Sequence, residues 1–578
     1  MIEGELKPKR NGCLGLIKIV AGIIAFSYGL AIVGYLLIRI GNNLQQGNNF
    51  VAVGLSIFLL GICIIPTFLI RRYLRKKKNR SKPKEAAFYR TPYSIEFGTS
   101  KGNIILNNPF RGIFCVGAAG SGKSESIAVP LLSQFIQKGF AGVIYDFKFP
   151  ALANEVQSFI GTSNNNIDHY LLNLNEPLKS HKVNPLNPKY LLNTSYVREY
   201  AQAIINNLLK ESIKKPDFWT RSATDLLTAC IWYLKEEHPD ICDLPHVFAL
   251  ITSEDTALLQ ELQKNVTSAQ MTISMYNAMQ RGADGQLAGV IGTLQGAVAQ
   301  INTPELMYIF SKDDFSLDIN NPDNPILFTV GTYPTLANTL APLCSLVITV
   351  ATKLMNQPNK NPSFVLLDES PTCFIPNLEV LPNTGRSNKI STVLMCQDLA
   401  QLTDGYGKEK AEVLFAACNN HFYGRVASSH TSEILSKQFG KMNKTFVTQN
   451  QGRSTGMKSF SNSSGLSETV QERDVIKASE FLDLGVGEFA GIAVESNYTK
   501  FKCKFKQVER LPFHQLVYPE NKNDIHEYYK QVREDINSIL NMSGAEKENN
   551  TLKSPILNNT QTNSKEMERS NIFDVFGD

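Results

Sequence analysis

The stretch that most constrains this chain is Gly117-Ala118-Ala119-Gly120-Ser121-Gly122-Lys123-Ser124, whose glycines are spaced to close a tight loop that runs straight into a lysine and a serine. Before it, Gly112-Ile113-Phe114-Cys115-Val116 is an apolar run of strand length. After it, Glu125 to Phe135 carries Ile127, Leu131, Leu132 and Phe135 at the spacing of one helix face. Strand, glycine loop and helix in that order make a P-loop, G-x-x-x-x-G-K-[ST]. Its backbone N–H groups and helix N-terminus wrap a phosphate chain, as in ATP, Lys123 reaches the terminal phosphates, and the Ser124 hydroxyl joins a Mg²⁺ shell. Such a unit commits the chain to an α/β sheet that holds a nucleotide at its strand ends.

The carboxylates such a site needs come later. Ala141-Gly142-Val143-Ile144-Tyr145-Asp146 and Pro325-Ile326-Leu327-Phe328-Thr329-Val330 read as buried parallel strands, with Leu340 to Met355 as a helix. Phe364-Val365-Leu366-Leu367-Asp368-Glu369 then has the Walker B pattern. It predicts Asp368 in the Mg²⁺ shell and Glu369 as general base for the attacking water. The strand Ser391 to Cys396 ends at Gln397, which reads as a sensor of the γ-phosphate or as a plain turn residue. Between them, Arg386 in Gly385-Arg386-Ser387-Asn388-Lys389 is either a guanidinium offered to a neighbouring subunit's site or a surface arginine.

The two Walker motifs are separated by residues 125–363, too long a connection for a loop. Val197, Ala201, Ile204, Ile205, Leu208 and Leu209 fall at helical spacing, as do Trp219, Ala223, Leu226, Leu227, Cys230, Ile231 and Leu234. A mainly helical insertion domain over 190–320 is expected, between nucleotide-binding parts at 91–189 and 321–518, with Trp219 and Trp232 in its core rather than on a base-stacking surface. Further helices are read at Glu409 to Ala417 and His430 to Phe439, and strands at His421 to Val426 and around Glu488 to Phe505. Lys441 to Ser467, rich in Ser, Asn, Gly and Thr, reads as a loop. Residues 519–578 read as a polar tail, disordered by composition from Asn541 to Arg569, with a terminal Asn571 to Asp578 that is either a docking peptide or a frayed end.

Charge is unevenly placed. The chain of 578 residues carries a formal +5, but residues 1–84 alone carry +12, which leaves −7 for the rest. Composition therefore gives no sign of a broadly DNA-coating surface. Ile19 to Ile38 and Phe50 to Ile70 are uncharged runs long enough to span a bilayer. Lys7, Lys9 and Arg10 precede the first, and a run from Arg71 to Lys84 follows the second, while the loop 41–49 has no charge. The positive-inside rule then puts residues 1–18, the basic linker 71–90 and both termini in the cytoplasm, with Arg39 snorkelling at the outer end of the first span. The ten cysteines form no C-x-x-C pair and suit a reducing compartment, and no His/Cys cluster has zinc-ligand spacing.

Taken together these parts resemble the type IV coupling proteins, the conjugative DNA-transfer ATPases of TraG/TraD type. The likeness runs from the paired apolar segments to about residue 510. It rests on Gly117 to Ser124, Asp146 and Lys148, Asn184-Pro185-Leu186, Phe218-Trp219, Leu367-Asp368-Glu369, and above all Gln397-Asp398-Leu399-Ala400-Gln401-Leu402 with Tyr406-Gly407. The resemblance implies a RecA-like core forming a homo-hexameric ring on the bacterial inner membrane. It implies ATP and Mg²⁺ as cofactors, relaxase-bound single-stranded DNA as cargo, and type IV secretion channel subunits as partners. It also makes Gln397 the sensor and Arg386 the trans arginine. The chain departs from the family at Asp146-Phe147-Lys148-Phe149-Pro150, where Asp-Pro-Lys-Gly-Glu is usual, and at Ser370, where the family has Phe. Other readings are a nucleotide-gated recruitment hub without motor activity and a double-stranded DNA translocase. The short outer loop and the Gln397 to Leu402 motif argue against the latter.

Overall fold

A computed structural model describes residues 34–35, 37–47, 50, 53, 89–163, 165, 167–456, 459–509, 514–519 and 524–551. Apart from those isolated early positions, the spans read at 19–38 and 50–70 lie outside the described residues, as do the basic run 71–84 and everything after 551. Residues 37–45 are helical and close in a turn at Gln46 and Gly47, so the first part of the stretch read as a loop from 41 continues the helix.

The strands are β1 (Ile95–Phe97), β2 (Ile104–Leu106), β3 (Ile113–Val116), β4 (Ala141–Asp146), β5 (Asp168–Asn173), β6 (Ile326–Gly331), β7 (Ser363–Leu367), β8 (Ile390–Cys396), β9 (Asn420–Tyr423), β10 (Lys441–Gly456), β11 (Ser459–Asp474), β12 (Glu488–Ile492) and β13 (Lys500–Lys504). Nine of them form one sheet in the order β13-β12-β9-β3-β8-β7-β4-β6-β5. From β9 to β5 all neighbours are parallel, and β12 and β13 close the edge in antiparallel fashion. Short continuous apolar runs suit this arrangement because both faces are covered. Within β3, Ile113 and Cys115 pack into the core beneath helices Val129–Gln137 and Ala151–Thr162. Phe114 and Val116 point the other way, into the core shared with helix Ala337–Met355.

Ala337–Met355 is, among the described residues, the one helix long and apolar enough to cross a membrane. It is instead a core helix, buried between the sheet and helix Thr194–Leu208. Each large aliphatic side chain it buries is worth about 1.5–3 kcal/mol, which explains the hydropathy without a bilayer.

Between β5 and β6 the chain is helical. The principal helices are Thr194–Leu208, Phe218–Glu237, Leu244–Ile251, Asp255–Leu262, Val266–Gln280, Asp284–Val298 and Pro304–Ile309. Asn193, Asp243, Glu254, Asn265 and Thr303 each accept from first-turn N–H groups, and Asp217 forms a full capping box with Thr220. The apolar residues of these helices belong to the same continuous core as Phe114, Tyr145 and Leu367 of the sheet. The insertion is therefore fused to the sheet rather than tethered to it.

Three local expectations fail. Lys441 to Ser467 is not a loop: β10 and β11 pair along their whole length as an antiparallel ribbon. Its Ser, Asn and Gly content hid strands whose sequence shows no apolar alternation. The chain after 519 is not tail throughout, since helix Ile525–Thr551 docks on the insertion with Val532 and Ile536 buried. Trp219 is not core either. It is 39% exposed and stands edge-on to Phe218, itself 46% exposed, where helix Phe218–Glu237 begins; Trp232 is half-buried.

Candidate functional site

β3 lies between β8 and β9, so the loop that leaves its C-terminal end is gripped from both sides. Gly117 N–H donates to Cys396 O (3.2 Å), and Ala118 N–H to Arg425 O (2.7 Å), just past β9. Gly120 and Gly122 take φ of +72° and +94°, which side-chain-bearing residues rarely adopt. Ser121 N–H closes the loop onto Ala118 O (3.1 Å), and Gly487 N–H, before β12, donates to Ser121 O (3.0 Å). The helix that follows opens with a wide turn over Ser124–Ala128, in which Val129 N–H reaches back to Ser124 O, before continuing as Val129–Gln137. Single wide turns of this kind occur frequently at functional sites.

Inside the loop, Lys123 is buried and its ammonium donates to Gly117 O. The Ser121 hydroxyl is buried without a partner. Ala119 lies between these turns, exposed like Gly120 after it. A loop tied down by its own backbone bonds, with a buried lysine and an unpartnered buried hydroxyl inside it, fits a phosphate cradle.

β7 delivers the two carboxylates. Asp368 N–H donates to Tyr145 O (3.2 Å), which fixes Asp368 against β4, and the Ser124 hydroxyl lies beside its carboxylate and favours the charged form. Burial raises the Asp368 pKa, with Lys123, Lys148 and Ser124 acting in the opposite direction. A hydroxyl and a carboxylate side by side at the end of the loop are the oxygen donors a hard divalent cation takes. Glu369 is buried, and Gln397, at the end of β8, holds both of its oxygens: backbone N–H to Oε1 at 3.1 Å and side-chain amide to Oε2 at 3.0 Å. Burial raises the Glu369 pKa, opposed by Gln397 and Lys123. The sheet thus brings Lys123, Ser124, Asp368, Glu369 and Gln397 to one edge, at the carboxyl ends of adjacent strands.

The stretch after Gln397 fastens this edge. Asp398 caps helix Leu399–Tyr406 through Ala400 N–H (2.8 Å) and accepts from the Thr431 hydroxyl (2.8 Å). Leu399 and Leu402 are buried, and the Tyr406 hydroxyl donates to Cys373 O (2.9 Å) while accepting from Ile375 N–H (3.2 Å). Gly405 lets the helix approach the loop after Glu369: a Cβ there would stand 2.7 Å from Pro371 O. Gln397, Gly405 and Tyr406 thus act on the segment that carries Glu369.

Arg386 is not at this edge. It is exposed in the turn before β8, at the opposite end of that strand from Gln397. Seven strand residues at about 3.3 Å each put it roughly 20 Å away. There its charge acts on Glu495, which is bound by Arg111. Within one chain, Arg386 and the loop do not meet.

Sequence reasoning also passed over several participants. Asp146, read from the sequence as a strand end and a point of family likeness, is fully buried and accepts from Leu152 N–H (2.8 Å), Ala153 N–H (3.0 Å) and Lys148 N–H (3.2 Å), capping the helix after β4. Burial pushes its pKa up to about 7, and Asp368 adds to the rise. The Gly487 and Arg425 contacts are made by backbone alone, and no residue pattern announces them.

A family profile described as "Type IV secretory system Conjugative DNA transfer" matches residues 69–504. Among solved structures, the unbound monoclinic form of the bacterial conjugative coupling protein TrwBΔN70 aligns with 15% identity and a TM-score of 0.56, over 76% of this chain and 93% of that one. TrwB in complex with the non-hydrolysable analogue ADPNP (15% identity) and TrwB in complex with ADP and Mg²⁺ (16% identity) each align with a TM-score of 0.54, over 72% of this chain and 89% of theirs. At such identities the likeness is one of fold. No curated protein matches the chain.

Proposed function

The chain belongs to the type IV secretory system conjugative DNA transfer family, and from that premise we propose that it is a membrane-anchored ATPase that couples nucleotide hydrolysis to the transfer of relaxase-bound single-stranded DNA into a type IV secretion channel. The observation that carries the proposal is the Glu369–Gln397 pair set beside the Ser124–Asp368 pair at one edge of the sheet. In this reading Gly117 to Gly122 hold the phosphates of ATP by backbone N–H groups, and Lys123 leaves Gly117 O for the terminal phosphate. Ser124 and Asp368 would hold Mg²⁺, which supplies charge neutralisation at the phosphates. Glu369 takes the proton of the attacking water on a carboxylate oxygen, and Gln397 orients it.

Arg386 completes the site of a neighbouring subunit, because within its own chain it lies at the wrong edge; this is what favours a ring, a homo-hexamer by analogy with the family. The exposed Phe218–Trp219 pair, in a stretch with Lys214, Lys215 and Arg221 also exposed, offers ring faces and cations to a single strand. The paired apolar segments 19–38 and 50–70 set the ring at the cytoplasmic face of the inner membrane as a multi-pass protein with both termini inside.

The reading is tested in a mating assay. Lys123→Ala and Glu369→Gln chains that reach the membrane at normal levels are expected to abolish transfer, and normal transfer by either refutes the ATPase assignment.

A further inference from the structure

A cavity of about 520 Å³ separates the helical insertion from the catalytic edge, and its lining includes Glu369, Asn207, Lys210, Lys214, Asn338 and Asp404. Across it, one short segment of the insertion reaches three elements of the core. Asn207 clips the backbone of Phe374, accepting from its N–H (2.9 Å) and donating to its carbonyl (2.7 Å). Lys210 donates to Asn338 Oδ1 (2.7 Å), and Lys214 to Asp404 Oδ1 (2.8 Å). Phe374 lies in the loop that follows Glu369, and Asp404 in the helix that follows Gln397. Both flanks of the Glu369–Gln397 pair are therefore held from the insertion.

These contacts are not equal. The lysine contacts are exposed and weak, whereas Asn207 is buried and its amide satisfies two backbone groups at once. The Phe374 loop does not depend on Asn207 for its fold. The Ser345 hydroxyl, from core helix Ala337–Met355, donates to the same Phe374 carbonyl (2.6 Å), and Tyr406 holds Cys373 and Ile375. What distinguishes Asn207 is the body it comes from. The cavity beside it leaves room for the clip to shift without repacking the core, which close-packed interiors resist.

We propose that Asn207 is a positioning residue through which the helical insertion, on engaging DNA, sets the Glu369–Gln397 pair. The inference rests on the ATPase reading above. Glu369 keeps its bonds to Gln397 in the absence of Asn207, so hydrolysis without DNA persists and only the response to DNA is lost.

The test compares ATP hydrolysis by the full-length chain in lipid nanodiscs, with and without single-stranded DNA, for wild type, Asn207→Ala and Ser345→Ala. Asn207→Ala is expected to keep nucleotide affinity and basal rate while its stimulation by DNA falls by about fivefold or more. Ser345→Ala, which removes a bond to the same carbonyl from the core side, keeps the stimulation. Asn207→Gln retains an amide but displaces it by a methylene, and it too is expected to blunt stimulation at wild-type nucleotide affinity. Undiminished stimulation in Asn207→Ala or in Asn207→Gln, or an equal loss in Ser345→Ala, overturns the inference. A wild-type chain that hydrolyses no ATP overturns the ATPase reading instead.

Discussion

Gln397 occupies both oxygens of Glu369, by its backbone N–H at 3.1 Å and its side-chain amide at 3.0 Å. The carboxylate is thus held in a fixed orientation and its charged form is favoured against the cost of burial. Gln397→Ala keeps the backbone bond and loses the amide. Steady-state assays are expected to show kcat for ATP hydrolysis about 10²-fold lower at unchanged nucleotide affinity. With a stabiliser of the carboxylate gone, the acidic limb of the pH–rate profile moves to higher pH. A wild-type rate in that variant would reduce Gln397 to a turn residue.

Asp146 gives a stability signature. Burial lifts its carboxyl from 3.8 to about 7 in the fold, so between those values the native state keeps a proton that the unfolded chain has released. Stability from this group is therefore greatest below pH 4 and falls as pH rises towards 7. Thermal melts of wild type and Asp146→Asn between pH 5 and 8 are expected to diverge, with the wild type losing Tm more steeply on the way to neutrality. Parallel curves would mean that Asp146 is ionised throughout.

His246 fixes the C-terminal helix. Its Nδ1 faces Asp243 Oδ1 at 2.6 Å, and its Nε2 faces Asp535 Oδ2 of helix Ile525–Thr551 at 3.5 Å. Burial favours the neutral ring, but the two carboxylates outweigh it and hold the pKa above 6.5. The stabilisation is complete below 6.5 and is lost as pH climbs through the raised value. Hydrogen exchange across residues 525–541 is expected to be slower at pH 6 than at pH 9 after correction for intrinsic rates. In Asp535→Asn that difference should shrink; an unchanged difference would detach the helix from His246.

Arg386 is separated from its own chain's loop by the length of β8, which makes its role testable by mixing. Arg386→Ala alone is expected to bind nucleotide and lose hydrolysis by about 10³-fold. Co-assembly with Lys123→Ala chains, which lack a working loop but carry Arg386, should restore a measurable rate. No recovery in mixed assemblies would remove Arg386 from the neighbour's site.

Much of this was legible in the sequence, and for identifiable reasons. The loop, the carboxylates and Gln397 are local patterns at strand ends, and parallel strands buried on both faces announce themselves as apolar runs. What stayed hidden depended on partners far along the chain. The hold of Asn207 on Phe374, the contact of Gly487 with Ser121 and that of Arg425 with Ala118 join segments that no spacing rule connects. Trp219 misled because apolar spacing identifies a helix but not where its first turn leaves the domain. The C-terminal helix was readable: Ile525, Tyr528, Tyr529, Val532, Ile536 and Ile539 follow a helical period that the polar composition masked. The β10–β11 ribbon offered no such period, because neither of its faces is apolar.

The most direct test of the central claim is the rate of ATP hydrolysis by the full-length oligomeric chain with single-stranded DNA, double-stranded DNA or none, alongside Glu369→Gln. The proposed function predicts hydrolysis stimulated by single-stranded DNA in the wild type, and nucleotide binding without hydrolysis in Glu369→Gln. An oligomeric wild type that hydrolyses no ATP with any DNA, or a Glu369→Gln chain that turns over at the wild-type rate, would contradict it.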